Sequence, residues 1–171
     1  MDFFELINQR YSVRAYQSDP VEDETLHKVL EAARLAPSAA NRQPLQVIVM
    51  HTAGRETEIK RIYGREWFLK APLVIAVCGI LGEAWVRPSD QKCYVDVDAA
   101  ILMDHLTLAA ADLGLGTCWT AAFDPVAARE VLGLPEGVEP IVFTPLGYPA
   151  DAEPWPKRRK EMAELVRYEH W

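Results

Sequence analysis

The stretch VDVDAAILMDHLTLAAADLGLGTCWTAAF, residues 95–123, decides how the chain folds. On a wheel at about 100° per residue, residues 95–113 read as one long helix whose polar positions fall on two opposite lines. Asp98, His105 and Asp112 form one line; Asp96, Asp104 and Thr107 cluster on the other. Two apolar faces lie between them. One carries Val97, Ala100, Ile101, Leu108 and Ala111; the other carries Val95, Ala99, Leu102, Met103, Leu106, Ala109, Ala110 and Leu113. A surface helix needs a single stripe, so a helix with two is covered twice. One face suits the chain's own sheet. The second suits either a copy of the chain, which the small alanines would let approach closely, or a further layer within one subunit. Gly114 and Gly116 stop the helix, and residues 117–123 then leave the core.

Upstream, Phe3–Gln9 reads as a short helix with Phe3, Leu6 and Ile7 available for burial. RYSVRAY, residues 10–16, alternates polar and apolar, and strand side chains alternate between faces. Arg10, Ser12 and Arg14 therefore point one way. Arginine forks with a hydroxyl beside them suit phosphate oxygens; a solvated edge with both arginines paired to carboxylates would use the same residues. Pro20 and the acidic run Glu22-Asp23-Glu24 open a second helix, where Leu26, Val29, Leu30 and Ala33 keep the spacing of a buried stripe. PSAANRQP, residues 37–44, follows it. Its small side chains would let a flat ligand approach the backbone, and Asn41 and Gln43 can both donate and accept hydrogen bonds. A plain helix-to-strand connection is the other reading.

Further along, residues 45–50 and 73–78 read as strands, with a polar helix at 55–63 between them. Residues 83–93 are irregular and hold Trp85, as a mobile cover or a disordered excursion would. Pro125–Leu132 reads as a short helix, 138–146 as a strand and 149–156 as a connector. The tail carries Lys157-Arg158-Arg159-Lys160, a solvated face or a second anion site, and then Met162, Leu165, Val166, Tyr168 and Trp171.

The length of 171 residues suits one domain spanning 1–171. A net charge of −7 argues against nucleic acid and anionic membranes but leaves room for a small anion in a local basic pocket. No apolar run has the roughly 20 residues a membrane helix needs, and residues 1–5 lack a signal-peptide pattern. Cys78, Cys93 and Cys118 show no metal-ligand spacing, and a reducing cytoplasm suits them. Asp96, Asp98, Asp104 and His105 split across opposite helix faces, so no one ion collects them; they read as structural, and no metal is expected. The chain has no phosphate loop of the G-x-x-x-x-G-K-[ST] type, no third glycine beside Gly114 and Gly116, and no serine elbow.

Four motifs in order resemble the nitroreductase family of FMN-dependent oxidoreductases. They are Arg10-x-Ser12-x-Arg14; Ala36-Pro37-Ser38-x-x-Asn41-x-Gln43-Pro44; residues 113–119 (LGLGTCW) with Ala122-Phe123-Asp124; and Pro145-Leu146-Gly147-Tyr148-Pro149 before the basic tail. The resemblance implies an α+β three-layer sandwich: a mostly antiparallel central sheet flanked by helices and completed by the partner's C-terminal strand in a homodimer. It implies two FMN molecules at the interface, each held by both subunits. Arg10, Ser12 and Arg14 would hold the phosphate and ribityl chain. Lys157 and Arg159 would add charge, with Lys160 a possible substitute. Ser38 and Asn41 would reach the flavin from the facing subunit. Trp119, Thr120, Ala121 and Ala122 would run along the ring, with the Ala121 or Ala122 N–H directed at N5. Tyr11, Pro37 and Gln43 complete the implied cofactor contacts.

No catalytic side chain is implied, because flavin carries the redox chemistry. The implied reaction is ping-pong hydride transfer from NADH or NADPH through N5 to a small electron-poor acceptor, such as a nitroaromatic or quinone. Other branches of the family dehalogenate, reduce enoates or break down the flavin, and a flavin-binding dimer without turnover is a further alternative. The chain departs from the family pattern at Ala39-Ala40, where Gly-Gly is common. Leu45 replaces an aromatic residue, and Ala121 stands at a position that is often glycine.

Overall fold

Leu73–Ile80 (β2), LVIAVCGI, is apolar throughout, as a strand covered on both faces must be. In the computed structural model, which describes residues 2–150 and 156–171, it lies inside a four-stranded antiparallel sheet. The other strands are Leu45–His51 (β1), Gly116–Thr117 (β3) and Val138–Gly147 (β4), and the order is β1-β2-β4-β3. The helices in chain order are α1 (Phe3–Gln9), α2 (Asp23–Arg34), α3 (Glu56–Ile62), α4 (Glu66–Lys70), α5 (Val95–Asp112), α6 (Pro125–Leu132) and the single turn α7 (Met162–Leu165).

Alternation along β2 separates two cores. Leu73, Ile75 and Val77 pack with Val29 and Ala33 of α2 and with Ala99, Met103, Leu106 and Ala110 of α5. Val74, Ala76 and Cys78 pack with Ile59 and Ile62 of α3, Phe68 of α4 and Ala128 of α6. Three layers result, the antiparallel α+β sandwich expected from the sequence. Each large side chain buried in this way contributes about 2 kcal/mol.

Helix α5 uses one of its apolar faces within the chain. Val95, Ala99, Met103, Leu106 and Ala110 are buried, while Val97 and Ala100 on the other face are exposed. Ile101, Leu108 and Ala111 are half-buried. No second layer of the same subunit covers that face among the described residues. Two positions on the polar lines, Asp98 and Thr107, are nevertheless buried; the Thr107 hydroxyl donates to the Asp104 carbonyl at 3.1 Å. Gly114, with φ +77°, ends the helix, and the Leu115 N–H closes the turn on the Ala110 carbonyl at 2.8 Å. Gly116 has a different task. A Cβ there would lie 2.7 Å from the Val13 side chain, so glycine permits a close strand approach.

Helix α1 packs on α5, and its Leu6 and Ile7 are half-buried. Phe3, expected to be available for burial, stays 60% exposed beside Phe4, since a seven-residue helix turns only one stripe to its neighbour. Residues 83–93 are ordered rather than a disordered excursion. Val86 bridges Cys93, the Arg87 N–H donates to the Lys92 carbonyl at 2.9 Å, and Trp85 meets Tyr94 edge-on. Most of the expected connector at 149–156 lies outside the described residues. Residues 156–171 join no sheet of their own chain, and β1 has no strand on its outer side among the described residues. No described helix is long and apolar enough to cross a membrane.

Candidate functional site

Residues 10–16 run extended beside β3. Ser12 forms a parallel bridge with Thr117, and the Val13 N–H donates to the Thr117 carbonyl at 2.9 Å. Val13 is buried against Gly116, so its neighbours Ser12 and Arg14 are turned away from that contact. Arg10, Tyr11, Ser12 and Arg14 line a cleft of about 180 Å³ whose far wall is Pro156, Lys157, Arg158 and Arg159. Lys160 is not among the lining residues. The Lys157 ammonium donates to the Ile7 carbonyl near the end of α1, which ties the tail to the N-terminal segment.

None of these cations pairs with a carboxylate among the described residues. Their crowding has an electrostatic signature. Lost hydration, and then the charges of Arg10 and Arg159, hold Lys157 below the ordinary lysine range. The Arg14 guanidinium lies 5.9 Å from the centre of the Trp67 ring, a cation–π contact. Trp67 belongs to α4, whose five residues are too few to show a helical period in sequence.

The segment after β3 is laid against β4. The Cys118 N–H donates to the Thr144 hydroxyl at 3.0 Å, and Thr120 exchanges backbone hydrogen bonds with Phe143 at 2.8 and 3.0 Å. Cys118 and Thr120 are thereby buried, while Trp119 between them is 46% exposed. Burial pushes the Cys118 thiol up, against the opposing pull of Arg14, a hydrogen bond from Ser12 and Arg10. The Ser12–Thr117 bridge brings the start of this segment beside residues 10–14. Ala121 and Ala122 are exposed, and neither donates its N–H to another described residue.

Pro37, Ser38, Asn41 and Gln43 lie elsewhere. Pro37 and Gln43 line a separate groove of about 360 Å³ with Leu45, Val47, Asp98 and Leu102, and no residue lines both hollows. The loop is wound tightly. Ala40, Asn41 and Gln43 have φ of 51°, 53° and 53°, a region non-glycine residues rarely adopt. The Gln43 N–H donates to the Ser38 hydroxyl at 2.9 Å, and the Gln43 side-chain amide donates to the Asn41 carbonyl at 3.2 Å. Asp98 accepts the Ala39 N–H at 2.8 Å. The helix wheel carried no sign of that contact, nor of the Trp67–Arg14 pair.

The nitroreductase family model matches residues 7–67 and 56–148. The chain belongs to the nitroreductase family. A crystal structure of a nitroreductase family protein from Clostridium difficile 630 is 40% identical, with a TM-score of 0.89 and complete coverage of both chains. A protein of Methanothermobacter thermautotrophicus, provisionally named NADH dehydrogenase/NAD(P)H nitroreductase, is 34% identical over 88% of this chain and 79% of its own length. The FMN reductase [NAD(P)H] of Bacillus subtilis is 31% identical over 82% of this chain and 63% of its own length. Within this nitroreductase fold, residues 10–14 and 157–159 line one cleft, and the loop at 37–43 stands apart from it.

Proposed function

We propose that two copies of this nitroreductase-family chain, each one FMN-binding unit over residues 1–171, hold two FMN molecules at their interface. The assembly works in the cytoplasm as an NADH- or NADPH-dependent oxidoreductase on a small, flat, electron-poor acceptor such as a nitroaromatic or quinone. The observation that carries this reading is the cleft in which Arg10, Arg14, Lys157, Arg158 and Arg159 meet without a counter-anion among the described residues. Such a donor set fits a phosphate monoester, with the Ser12 hydroxyl as a further donor. The N–H groups of Ala121 and Ala122, without an acceptor among the described residues, fit the polar edge of a flavin ring. Bound FMN supplies the two-electron redox chemistry; the residues supply charge neutralisation, orientation and shelter from water.

Three features support the homodimer. The outer face of α5 is apolar and partly exposed, the outer edge of β1 has no partner strand among the described residues, and Leu165, Tyr168 and Trp171 of the tail are exposed. In this arrangement Ser38 and Asn41 serve the partner's flavin, which accounts for their separation from the cleft of their own chain. The decisive experiment is anaerobic mixing of FMN-loaded protein with NADH or NADPH. Bleaching of the flavin spectrum, reversed by a quinone or nitroaromatic, is expected. A bound flavin that neither donor bleaches would mark a binding module without turnover, and a spectrum that fails to return even after air is admitted would mark breakdown of the flavin.

A further inference from the structure

We propose that Asp98 is a positioning residue that works across the interface, holding the loop of its own chain against the flavin gripped by the other subunit. The inference rests on the shared-site reading above. The loop at 37–44 is internally determined: the Asn41 N–H donates to the Ser38 carbonyl at 2.9 Å, the Arg42 N–H to the Ala39 carbonyl at 3.1 Å, and the Gln43 N–H to the Ser38 hydroxyl at 2.9 Å. Those bonds set its shape and leave its location open. The sheet fixes only its C-terminal end, where the Ile80 N–H donates to the carbonyl of buried Pro44 at 2.8 Å; the groove between α2, β1 and α5 opens behind Pro37 and Gln43. What ties down the turn at Ala39 is a carboxylate from a distant part of the chain. Asp98, in the first turn of α5, accepts the Ala39 N–H at 2.8 Å across 59 positions.

The arrangement is costly for a mere corner. Asp98 is 1% exposed, and its second oxygen, Oδ2, is buried with no hydrogen-bond partner. A buried carboxylate with an unsatisfied oxygen is an expensive way to hold one N–H, and backbone strain in the same loop adds to the cost. Expense of this kind collects where geometry matters to function. Asp98 also stands on the helix whose outer face meets the partner in the proposed dimer, so it ties the loop to the seam itself.

Mixed dimers of two differently tagged chains test the role, with flavin content per dimer as the readout. A chain carrying Arg10→Ala and Arg159→Ala has no phosphate grip; a chain carrying Asp98→Ala has an unanchored loop. Placed opposite each other, the two leave one site fully intact, and about half the wild-type flavin is expected. With all three substitutions on one chain opposite a wild-type chain, both sites are damaged, and flavin content well below half is expected. Equal flavin in the two arrangements would overturn the trans role, as would an Asp98→Ala homodimer with wild-type FMN affinity. Asp98→Asn keeps the acceptor for Ala39 and should restore most of the flavin lost in Asp98→Ala; failure to do so at an unchanged melting temperature would also overturn it. If the homodimer lacking the grip keeps its flavin, or the chain proves monomeric, the shared-site reading has failed first and the trans role falls with it.

Discussion

The cleft and the loop at 37–44 are both assigned to the same cofactor, yet they are built in opposite ways. The cleft is an assembly of long, mostly exposed cations brought from the two ends of the chain, with no carboxylate partner among the described residues. The loop is a short, strained piece of backbone closed by its own hydrogen bonds and anchored to a buried aspartate. Charge acts over several ångströms and tolerates side-chain freedom, so a phosphate site can be made from flexible arginines. Backbone contact with a flat ring tolerates no such slack. The same ligand therefore calls for loose construction at one end and rigid construction at the other.

The strongest way to break this comparison is to remove charge from the cleft. Arg10→Ala with Arg159→Ala deletes two charge-assisted donors, each worth about 1.5–3 kcal/mol, so FMN affinity should fall at least about 100-fold by fluorescence titration. The melting temperature of the FMN-free protein should hardly move, because neither arginine pairs with a carboxylate among the described residues. If that melting temperature falls sharply, the cations are structural and the contrast is wrong.

Gly116→Ala sharpens the comparison by moving the scaffold under the grip. The added methyl would sit 2.7–2.9 Å from three atoms of Val13, and overpacking of this kind costs about 1–3 kcal/mol. Ser12 and Arg14 flank Val13, so both stability in calorimetry and FMN affinity should drop together. A variant that loses stability and keeps its affinity would show that the cleft does not depend on strand register.

The smallest expected effect belongs to the loop. Ala40 sits at φ 51°, where an L-residue carries about 1–2 kcal/mol of strain that glycine escapes. Glycine's greater freedom in the unfolded chain returns part of the gain. Ala40→Gly should therefore raise the melting temperature by about 2–4 °C. A fall would mean that the left-handed turn is not strained.

Much of this was legible in advance. The strands at 45–50 and 73–78, the helix at Pro125–Leu132 and the core-facing stripe of α5 all follow from periodicity, and the structure extends the two strands by only one or two residues. The grouping of Arg10, Ser12 and Arg14 follows from strand alternation and is observed on one wall of a cleft. Other features were out of reach. Asp98 shares a wheel line with exposed His105 and Asp112, and only the arriving Ala39 N–H explains its burial. Gly116 reads as a helix stop until Val13 is seen against it. Residues 83–93 look irregular because their order comes from one bridge and an aromatic contact rather than from a repeating pattern.

From its sequence alone, then, the chain has most of its helices and strands, the inward face of the longer ones and the motifs of its family. These follow from the direction of each side chain relative to its near neighbours, which local backbone geometry sets. Tertiary structure decided which distant groups meet: Lys157 reaches the carbonyl of Ile7 150 positions away, Trp67 lies beneath Arg14, and Asp98 takes hold of the loop. Such meetings depend on how whole layers pack, and no local period encodes that.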